Sequence, residues 1–434
     1  MKHSIFRLRN IARFALCLVM STLALQPIAT AQSLDMVRSD MRRVVEIVVA
    51  DLQKNYYDPS FKGMDIKRLA DETKQQINSM TDAGQMCAAV WEFTQKLDDT
   101  HTRFIPPRFT TTPKFGFRAR GFGDKVYVVS LTKNGPASKA GLKPGDRVLA
   151  LNGKEVTRDN IRDVLFYYSR LRPVRGLVVD YERDGAADRL MIEPEVRREA
   201  MVKRYDDISD VYRDIVEEQN DYAETPFMYG NVDDFGYVKL REFFGTAPEG
   251  VMYKIKDAHG VIVDLRGNLG GSIETLKQFA GYFDRDATLM ADDIGRKKTE
   301  KMFSKPQHLH FDGPVVVLVD SESGSASEIL AYHLQRTKRA VIVGDQTMGS
   351  VATSKFYFES VNNGSVDFGI SATVGKVVFP DGKSLDKIGV TPDVKCIPTQ
   401  ADLAGGKDPC LRQAAAVLKE KLGKAPGATA GAGQ

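Results

Sequence analysis

Four serines occupy alternate positions in SESGSASEIL, residues 321–330. The apolar run before them, Pro314–Asp320, predicts a strand, and a helical pattern over Ser327–Thr337 follows. The serines therefore lie in a strand-to-helix turn at the carboxyl end of a core strand, where open α/β sheets place ligand sites. Backbone N–H groups at the start of a helix also stabilise negative charge. Such a turn suits a serine nucleophile beside an oxyanion site.

A second interpretation of the same turn needs no chemistry. The sequence Ser325-Ala326-Ser327-Glu328 is a capping box, in which a serine precedes a glutamate by three positions. From this stretch alone the cap is the better explanation. A nucleophilic role needs support from elsewhere in the chain.

The first 31 residues differ from the rest of the chain. Four basic residues precede an apolar run from Phe14 to Leu25, and the small-residue site Ala29-Thr30-Ala31 follows. This pattern predicts a cleavable signal peptide over residues 1–31. An uncleaved membrane anchor is the alternative, but the apolar run is shorter than the roughly 20 residues of a spanning helix. We therefore expect an exported chain, periplasmic or secreted.

Removal of this segment leaves 57 basic and 57 acidic residues, so the mature chain has no net formal charge. Bulk charge then gives no support for binding to nucleic acid or to an anionic membrane. In an oxidising compartment Cys396 and Cys410 would close a short loop and staple the C-terminal segment to the body, while Cys87 is expected to be a buried free thiol. The chain has no CxxC or HxxxH spacing, so no metal site is expected.

The hydrophobic pattern divides the mature chain into four parts. Three-and-four apolar spacing that begins at Leu34 predicts an N-terminal helical domain, residues 32–112. Short β-branched runs between Gly and Pro turns predict a small β-rich module, residues 113–198. Buried apolar strands then alternate with helices over residues 199–400, which predicts an α/β core with both sheet faces covered. Residues 401–434 form a C-terminal tail, partly disordered, and the whole is a multidomain α+β chain.

Four motifs occur in the order seen in the carboxyl-terminal processing peptidases, the tail-specific proteases. They read VIVDLRGNLGGS, VVVLVDSESGSASEIL, RAVIVGDQTMGS and KSLDKIGVTPDV. The module before them, through NGPASKAGLKPGDRVLALNG, resembles a PDZ domain. This resemblance implies an α/β core of the crotonase or ClpP type and a serine endopeptidase with Ser325 as nucleophile. It implies no metal and no organic cofactor.

One position departs from the commonest pattern of that family. Those peptidases pair the serine with a lysine 25 residues later, where this chain has Ser350. A Ser–Lys pair in the usual place is therefore excluded. Lys355 lies five residues further on, and an odd step places it on the other face of any strand, so we interpret it as a surface lysine.

A histidine takes over the role of the base in this interpretation. His101, in KLDDTHTRF, resembles the base of the tricorn-like branch of the family. An imidazole titrates near 6.5, so it accepts a serine proton at neutral pH. A hydrogen-bonded structural histidine is the alternative. The resemblance places a carboxylate at Asp386 to orient the ring, while Asp98, Asp99 and Thr100 are neighbours of His101 in sequence. A solvated aspartate in a turn is the alternative for Asp386.

The resemblance also assigns the groups that would bind substrate. The oxyanion hole would combine the N–H of Ala326 with that of a glycine in Gly270-Gly271. In the PDZ-like module, the loop Phe115-Gly116-Phe117 would bind the terminal carboxylate of a peptide tail. Polypeptide substrates or C-terminal tails are the expected partners, with an adaptor or a homo-oligomer left open.

Two other classes of function remain. A catalytically inactive relative would act as a periplasmic peptide-binding or scaffold protein through the PDZ-like groove alone. A carrier of hydrophobic ligands is the weaker alternative, because the core occurs in a single copy here, whereas a retinoid-binding relative repeats it.

Overall fold

The computed structural model describes residues 33–107, 111–198, 227–245, 249–364 and 366–423. The predicted signal peptide lies outside the described residues, and so does the end of the predicted tail. None of the helices in these ranges is both long enough and apolar enough to cross a membrane.

Helices and strands alternate along the described ranges. The α-helices are α1 (Leu34–Asn55), α2 (Ile66–Ser79), α3 (Ala83–Gln95), α4 (Pro136–Lys139), α5 (Ile161–Phe166), α6 (Glu249–Ile255), α7 (Ile273–Ala280), α8 (Ala326–Arg336), α9 (Gln400–Ala404) and α10 (Pro409–Gly423). The strands are β1 (Arg103–Ile105), β2 (Thr111–Lys114), β3 (Phe117–Phe122), β4 (Lys125–Leu131), β5 (Arg147–Leu151), β6 (Lys154–Glu155), β7 (Leu177–Arg183), β8 (Ala186–Ile192), β9 (Glu195–Arg198), β10 (Phe227–Val232), β11 (Phe235–Leu240), β12 (Val261–Asp264), β13 (Leu289–Gly295), β14 (Thr299–Phe303), β15 (Val315–Val319), β16 (Ala340–Gly344), β17 (Ala352–Val361), β18 (Val366–Val378) and β19 (Val394–Lys395).

The N-terminal helices pack into one apolar cluster against a sheet of the core. Helix α1 begins at Ser33, whose side chain caps the first turn, and buries the stripe Met41, Val44, Val45, Val48 and Leu52. After α3 the chain enters β1, which pairs antiparallel with β18. The sequence pattern did not predict this strand, because three residues are too few to show a period. The pairing joins the helical domain to the core just after His101.

The module that follows is an antiparallel sheet in the order β3-β4-β5-β7-β8, with β6 paired to β5. Its own apolar cluster includes Val126, Val148 and Val179. A two-stranded ribbon of β2 and β9 joins the two ends of the module. Strand β3 is an outer strand of this sheet, and α5 contacts it.

The core contains a six-stranded sheet in the order β10-β11-β12-β15-β16-β19. All neighbours from β11 to β19 are parallel, and β10 is antiparallel at the edge. Alternate residues of β15 face opposite layers: Val315 and Val317 pack with α6, α7 and α8, while Val316 and Leu318 pack with α10. Both faces of this sheet are therefore covered, as expected. A second sheet contains β1, β18, β13 and β14, with β17 also paired to β18.

The segment after residue 400 belongs largely to this core. Cys396 and Cys410 form a disulfide, and α10 covers one sheet face through Ala414 and Leu418. The sequence set residues 401–434 apart as a tail, but the amphipathic helix within it supplies the outer layer that the sheet requires.

We predict that reduction of the disulfide destabilises the core. The two cysteines are 14 residues apart, and closing a loop of that length stabilises a fold by about 3 kcal/mol. Urea unfolding with and without dithiothreitol should show a loss of roughly this size. The Cys396→Ser/Cys410→Ser variant should show the same loss and no response to the reductant. Equal stability of the oxidised and reduced wild type would contradict this expectation.

Candidate active site

Three of the four serines in the 321–327 turn use their hydroxyls for structure. Ser321 donates to the carbonyl of Gly121 at 2.6 Å, Ser323 to that of Leu265 at 2.8 Å. Ser327 likewise donates to the carbonyl of Asn268 at 2.9 Å. The hydroxyl of Ser325 donates to no acceptor among the described residues, and the residue is 9% exposed. The turn therefore leaves one hydroxyl available for chemistry.

Ser325 also has an unusual backbone conformation. It is the N-cap of α8, directly beyond the carboxyl end of β15, with φ 52° and ψ −116°. A positive φ is uncommon for a residue with a side chain, and this ψ lies outside the ordinary left-handed helical well. Strained backbone of this kind persists only where the surroundings enforce it, and it clusters at active sites.

The enforcing group is the carboxylate of Glu328. Its Oε2 accepts the N–H of Ser325 at 3.0 Å and the N–H of Ser350 at 2.8 Å. Its Oε1 accepts the N–H of Gly349 at 2.7 Å and the hydroxyl of Thr347 at 2.6 Å. The capping interpretation of the sequence is therefore correct but incomplete, since the same glutamate binds the serine turn to the 347–350 loop.

This carboxylate is fully buried. Burial raises the pKa of Glu328 to about 7, and its four hydrogen bonds oppose the rise. The group thus changes charge near neutral pH at a point where it touches both halves of the site.

His101 reaches the site from the other side of the 347–350 loop. Ser350 Oγ lies 3.4 Å from Nδ1 of His101, and the carbonyl of Ser350 accepts the N–H of Ser325 at 2.8 Å. Among the described residues no hydrogen bond joins Ser325 Oγ directly to His101. Serine–base contacts in enzymes without substrate are frequently looser than a hydrogen bond and tighten on binding.

Thr100 connects the ring to Asp386. Its hydroxyl donates to Asp386 Oδ1 at 2.7 Å and lies 3.0 Å from Nδ1 of His101. Because the hydroxyl proton points to the carboxylate, Nδ1–H of the ring is the donor to Thr100. This network assigns the tautomer and leaves Nε2 as the basic nitrogen. Asp386 therefore orients the ring through Thr100 and not by direct contact.

Two charged groups near the His101 ring have opposite effects on its pKa. Loss of hydration lowers the pKa of His101 to about 4; Asp99 opposes this effect and Arg103 adds to it. Burial raises the pKa of Asp386, against the hydrogen bonds from Thr100 and Val351. The imidazole is thus neutral at neutral pH, which is the form that accepts a proton.

Gly270 and Gly271 lie directly against the serine turn. A Cβ atom built on Gly270 would lie 2.6 Å from Cβ of Ser325, so only glycine fits there. Gly270 donates its own N–H to Asn268 Oδ1 at 2.8 Å. Gly271 and Ala326 donate their N–H groups to no backbone acceptor in the described ranges. These two, and not Gly270, are the donors free to bind an oxyanion.

The PDZ-like module contacts the site through its outer strand. Arg118 and Arg120 in β3 form ion pairs with Glu322, and Arg120 also pairs with Asp320 at 2.7 Å. Both acids precede Ser325 in the turn. The structure therefore joins the strand that would receive a peptide tail to the turn that carries the serine.

The loop Phe115-Gly116-Phe117 lies at the start of this strand. Gly116 has φ 74°, and the carbonyls of Phe115 and Gly116 accept the N–H groups of Ala137 and Thr132. The loop is thereby fixed beside α4, at the start of β3.

Two contributors to the site were not predicted from the sequence. Thr347 completes the Glu328 cluster, and Asn268 holds Gly270 and the turn, since its carbonyl also accepts the N–H of Gly324 at 2.9 Å. Both act through contacts between segments distant in sequence. Lys355 is exposed on β17, as interpreted from the sequence.

Two segments of the chain match known protein families. Residues 113–193 match the PDZ domain model, and residues 234–396 match the model of Peptidase family S41. The chain thus contains a PDZ domain followed by a segment that matches a family of peptidases. More narrowly, the chain is similar to the carboxyl-terminal processing peptidases, as the resemblance implied.

Individual relatives are distant. The chain is 29% identical over 329 residues to carboxyl-terminal-processing peptidase 1, chloroplastic, of Arabidopsis thaliana, which covers 70% of this chain and 60% of that protein. It is 27% identical to carboxy-terminal processing protease CtpA of Bacillus subtilis, covering 78% of this chain and 70% of the relative. The solved structure of mature CPAF complexed with lactacystin has a TM-score of 0.67 at 14% identity, covering 89% and 99% of the two chains. That last likeness concerns the fold.

We predict that Glu328 makes stability depend on pH. A carboxyl whose pKa rises from 4.5 to about 7 on folding favours the folded state when protonated, so its contribution is complete below 4.5 and is lost as the pH rises through 7. The loss amounts to about 3 kcal/mol over that window. Chemical denaturation at a series of pH values should show that the free energy of unfolding of Glu328→Gln lacks this dependence on pH.

The matched control is Glu92→Gln, an exposed side chain on α3. Its curve should follow the wild type. Identical pH slopes for Glu328→Gln and wild type would show that the buried carboxyl does not titrate in this range.

Proposed function

We propose that this protein is an exported serine endopeptidase that cleaves polypeptides through an acyl-enzyme, with Ser325 as nucleophile and His101 as general base. The single observation that carries the proposal is the state of Ser325: a strained N-cap whose hydroxyl alone among the four serines has no structural acceptor. The basic, apolar and small-residue pattern of residues 1–31 supports export to a periplasm or to the exterior.

In the first half-reaction, Nε2 of His101 takes the proton of Ser325 Oγ as the oxygen attacks the scissile carbonyl carbon. The N–H groups of Ala326 and Gly271 receive the developing oxyanion. The tetrahedral intermediate collapses with cleavage of the C–N bond, and the imidazolium gives its proton to the leaving amine. An ester between Ser325 and the acyl half of the substrate remains.

Water releases this ester by the same route. His101 removes a proton from water, the hydroxide adds to the ester carbonyl, and Ser325 leaves with the proton returned by the ring. Throughout the cycle, the contact from Nδ1–H through Thr100 to Asp386 holds the ring in the tautomer that the chemistry needs.

The PDZ domain would supply the substrate by its tail. A peptide added along the outer strand β3, with its carboxylate at the loop Phe115-Gly116-Phe117, would run beside the strand whose arginines hold Glu322 and Asp320. The names of the relatives describe carboxyl-terminal processing, and we propose the same class of substrate here. The recruitment of substrate and the gating of activity would then both depend on strand β3.

The decisive experiment is labelling with a fluorophosphonate probe, with the modified residue mapped by mass spectrometry. We expect modification at Ser325, no modification in Ser325→Ala, and a rate at least about a hundred-fold lower in His101→Ala, since general-base catalysis contributes that much or more. Ser350→Ala keeps the backbone bonds of residue 350 and is the matched control. Undiminished labelling of His101→Ala would exclude His101 as the general base.

Absence of labelling would favour a second function, a peptide-binding protein without catalysis. The ion pairs that link β3 to the serine turn suit that function as well. Binding of C-terminal peptides that survives Ser325→Ala, without cleavage by the wild type, would identify it.

A further prediction concerns Thr100. Thr100→Val keeps the shape of the side chain but removes both hydrogen bonds, so the ring loses its partner and its fixed tautomer. We expect the labelling rate to fall about five- to 150-fold, equivalent to the roughly 1–3 kcal/mol lost when a buried polar group loses its partner. Thr100→Ser, which restores the hydroxyl, should recover most of the rate. Equal rates for the Val and Ser variants would exclude the Thr100 contact from catalysis.

A further inference from the structure

One carboxylate holds the backbone of the loop between α3 and β1. Asp99 Oδ1 accepts the N–H of His101 at 3.0 Å and the N–H of Thr102 at 2.6 Å. The same oxygen accepts the hydroxyl of Thr373 at 2.7 Å. Thr373 lies in β18, so Asp99 binds the loop that carries His101 to a strand of the second sheet.

The contacts of Asp99 with His101, Thr102 and Thr373 form a clamp on the loop, and the two buried threonines also bond to each other. The N–H of Thr373 donates to Thr102 Oγ1 at 3.1 Å, and the two hydroxyls lie 3.2 Å apart. Thr102 is fully buried and Thr373 is 2% exposed. Water cannot replace bonds in such a place, so the loop N–H groups depend on the acceptor that Asp99 provides.

The clamp also places a negative charge beside the ring. Burial opposes ionisation of Asp99, but the hydrogen bonds from Thr373, Thr102 and His101 hold its pKa below the ordinary value. Asp99 is therefore charged at neutral pH. By contrast, burial raises the pKa of Asp386, which reaches the ring only through Thr100.

Other ionisable groups face Asp99 and His101 from each neighbouring element. They are Tyr56 and Tyr57 after α1, Lys62 before α2, Arg103 in β1, and Asp386 in the loop before β19. Burial raises the pKa of both tyrosines, so they remain neutral at neutral pH. Asp99 is therefore the anion that acts on His101 most directly.

We propose that Asp99 is a positioning residue for His101: its carboxylate fixes the loop that carries the ring, and its charge stabilises the imidazolium formed when His101 takes the proton of Ser325. This inference rests on the proposed function, because it assumes that His101 accepts that proton. It assigns the two carboxylates different tasks. Asp386 fixes the tautomer through Thr100, and Asp99 fixes the position and compensates the charge.

The test compares Asp99→Asn with Asp98→Asn in the full chain. An asparagine at 99 keeps an acceptor oxygen for the loop but removes the charge. Asp98 is the matched control, since its side chain is 81% exposed and pairs with Lys387 at the surface. At neutral pH we expect the fluorophosphonate labelling rate of Ser325 to fall about ten-fold or more in Asp99→Asn, because a nearby opposite charge shifts a pKa by about one or more. Asp98→Asn should label like wild type.

A second readout separates charge from structure. The titration of His101, followed by NMR on protein labelled with ¹³C-histidine and assigned with His101→Ala, should move to lower pH in Asp99→Asn only. Thr373→Val weakens the clamp and keeps the charge, so it should lower the labelling rate with a smaller effect on the titration. This variant keeps the proposal testable if Asp99→Asn does not fold.

The outcomes distinguish this inference from the proposed function. Wild-type protein that does not label at Ser325 overturns the proposed function, and the His101 titration still decides whether Asp99 acts on the ring. Wild-type labelling with an unchanged rate and an unchanged titration in Asp99→Asn overturns the inference alone. A lower rate with an unchanged titration overturns the electrostatic role of Asp99.

Discussion

The buried carboxylate of Glu328 is the interaction on which the site depends. Four donors from two segments converge on it, so the serine turn and the 347–350 loop cannot move independently. The strained backbone of Ser325 is stable because its N–H and the carbonyl of Ser350 are both fixed by this arrangement. Without an acceptor at this point, the N–H groups of Gly349 and Ser350 would lose their partners, at a cost of about 1–3 kcal/mol each.

The histidine arrives by a different route, through sheet pairing. Strand β1 is only three residues long, but its register on β18 places His101 two residues before the ladder begins. Asp99 and Thr373 then fix the loop against the same strand. The proposed nucleophile and the proposed base thus belong to different layers, and their relative position is set by the packing of the helical domain on the core. Residues of the apolar cluster, such as Phe104 in β1, consequently contribute to the geometry of the site.

Local patterns allowed much of this site to be predicted. The strand, turn and helix around the serines show clear periodicity, and the glycines of GNLGG could be assigned from the resemblance. What distinguishes Ser325 from Ser321, Ser323 and Ser327 is not local, since the acceptors of those three lie 200, 58 and 59 positions away in sequence. Only the capping role of Glu328 could be predicted from the sequence. Its bonds to the 347–350 loop depend on tertiary packing, and no spacing in the sequence reports them.

The short side chain of Ser350 leaves space for the ring of His101. Ser350 Oγ lies 3.4 Å from Nδ1 of His101, so the ring occupies the space into which a longer side chain at 350 would extend. A lysine there would compete with the ring for that space and would add a positive charge beside an imidazole that Arg103 already disfavours as a cation. The short serine removes both conflicts and keeps the backbone bonds to Glu328 and Ser325. The serine at 350 therefore suits the proposed role of His101, and the absence of a lysine there is not by itself a sign of lost activity.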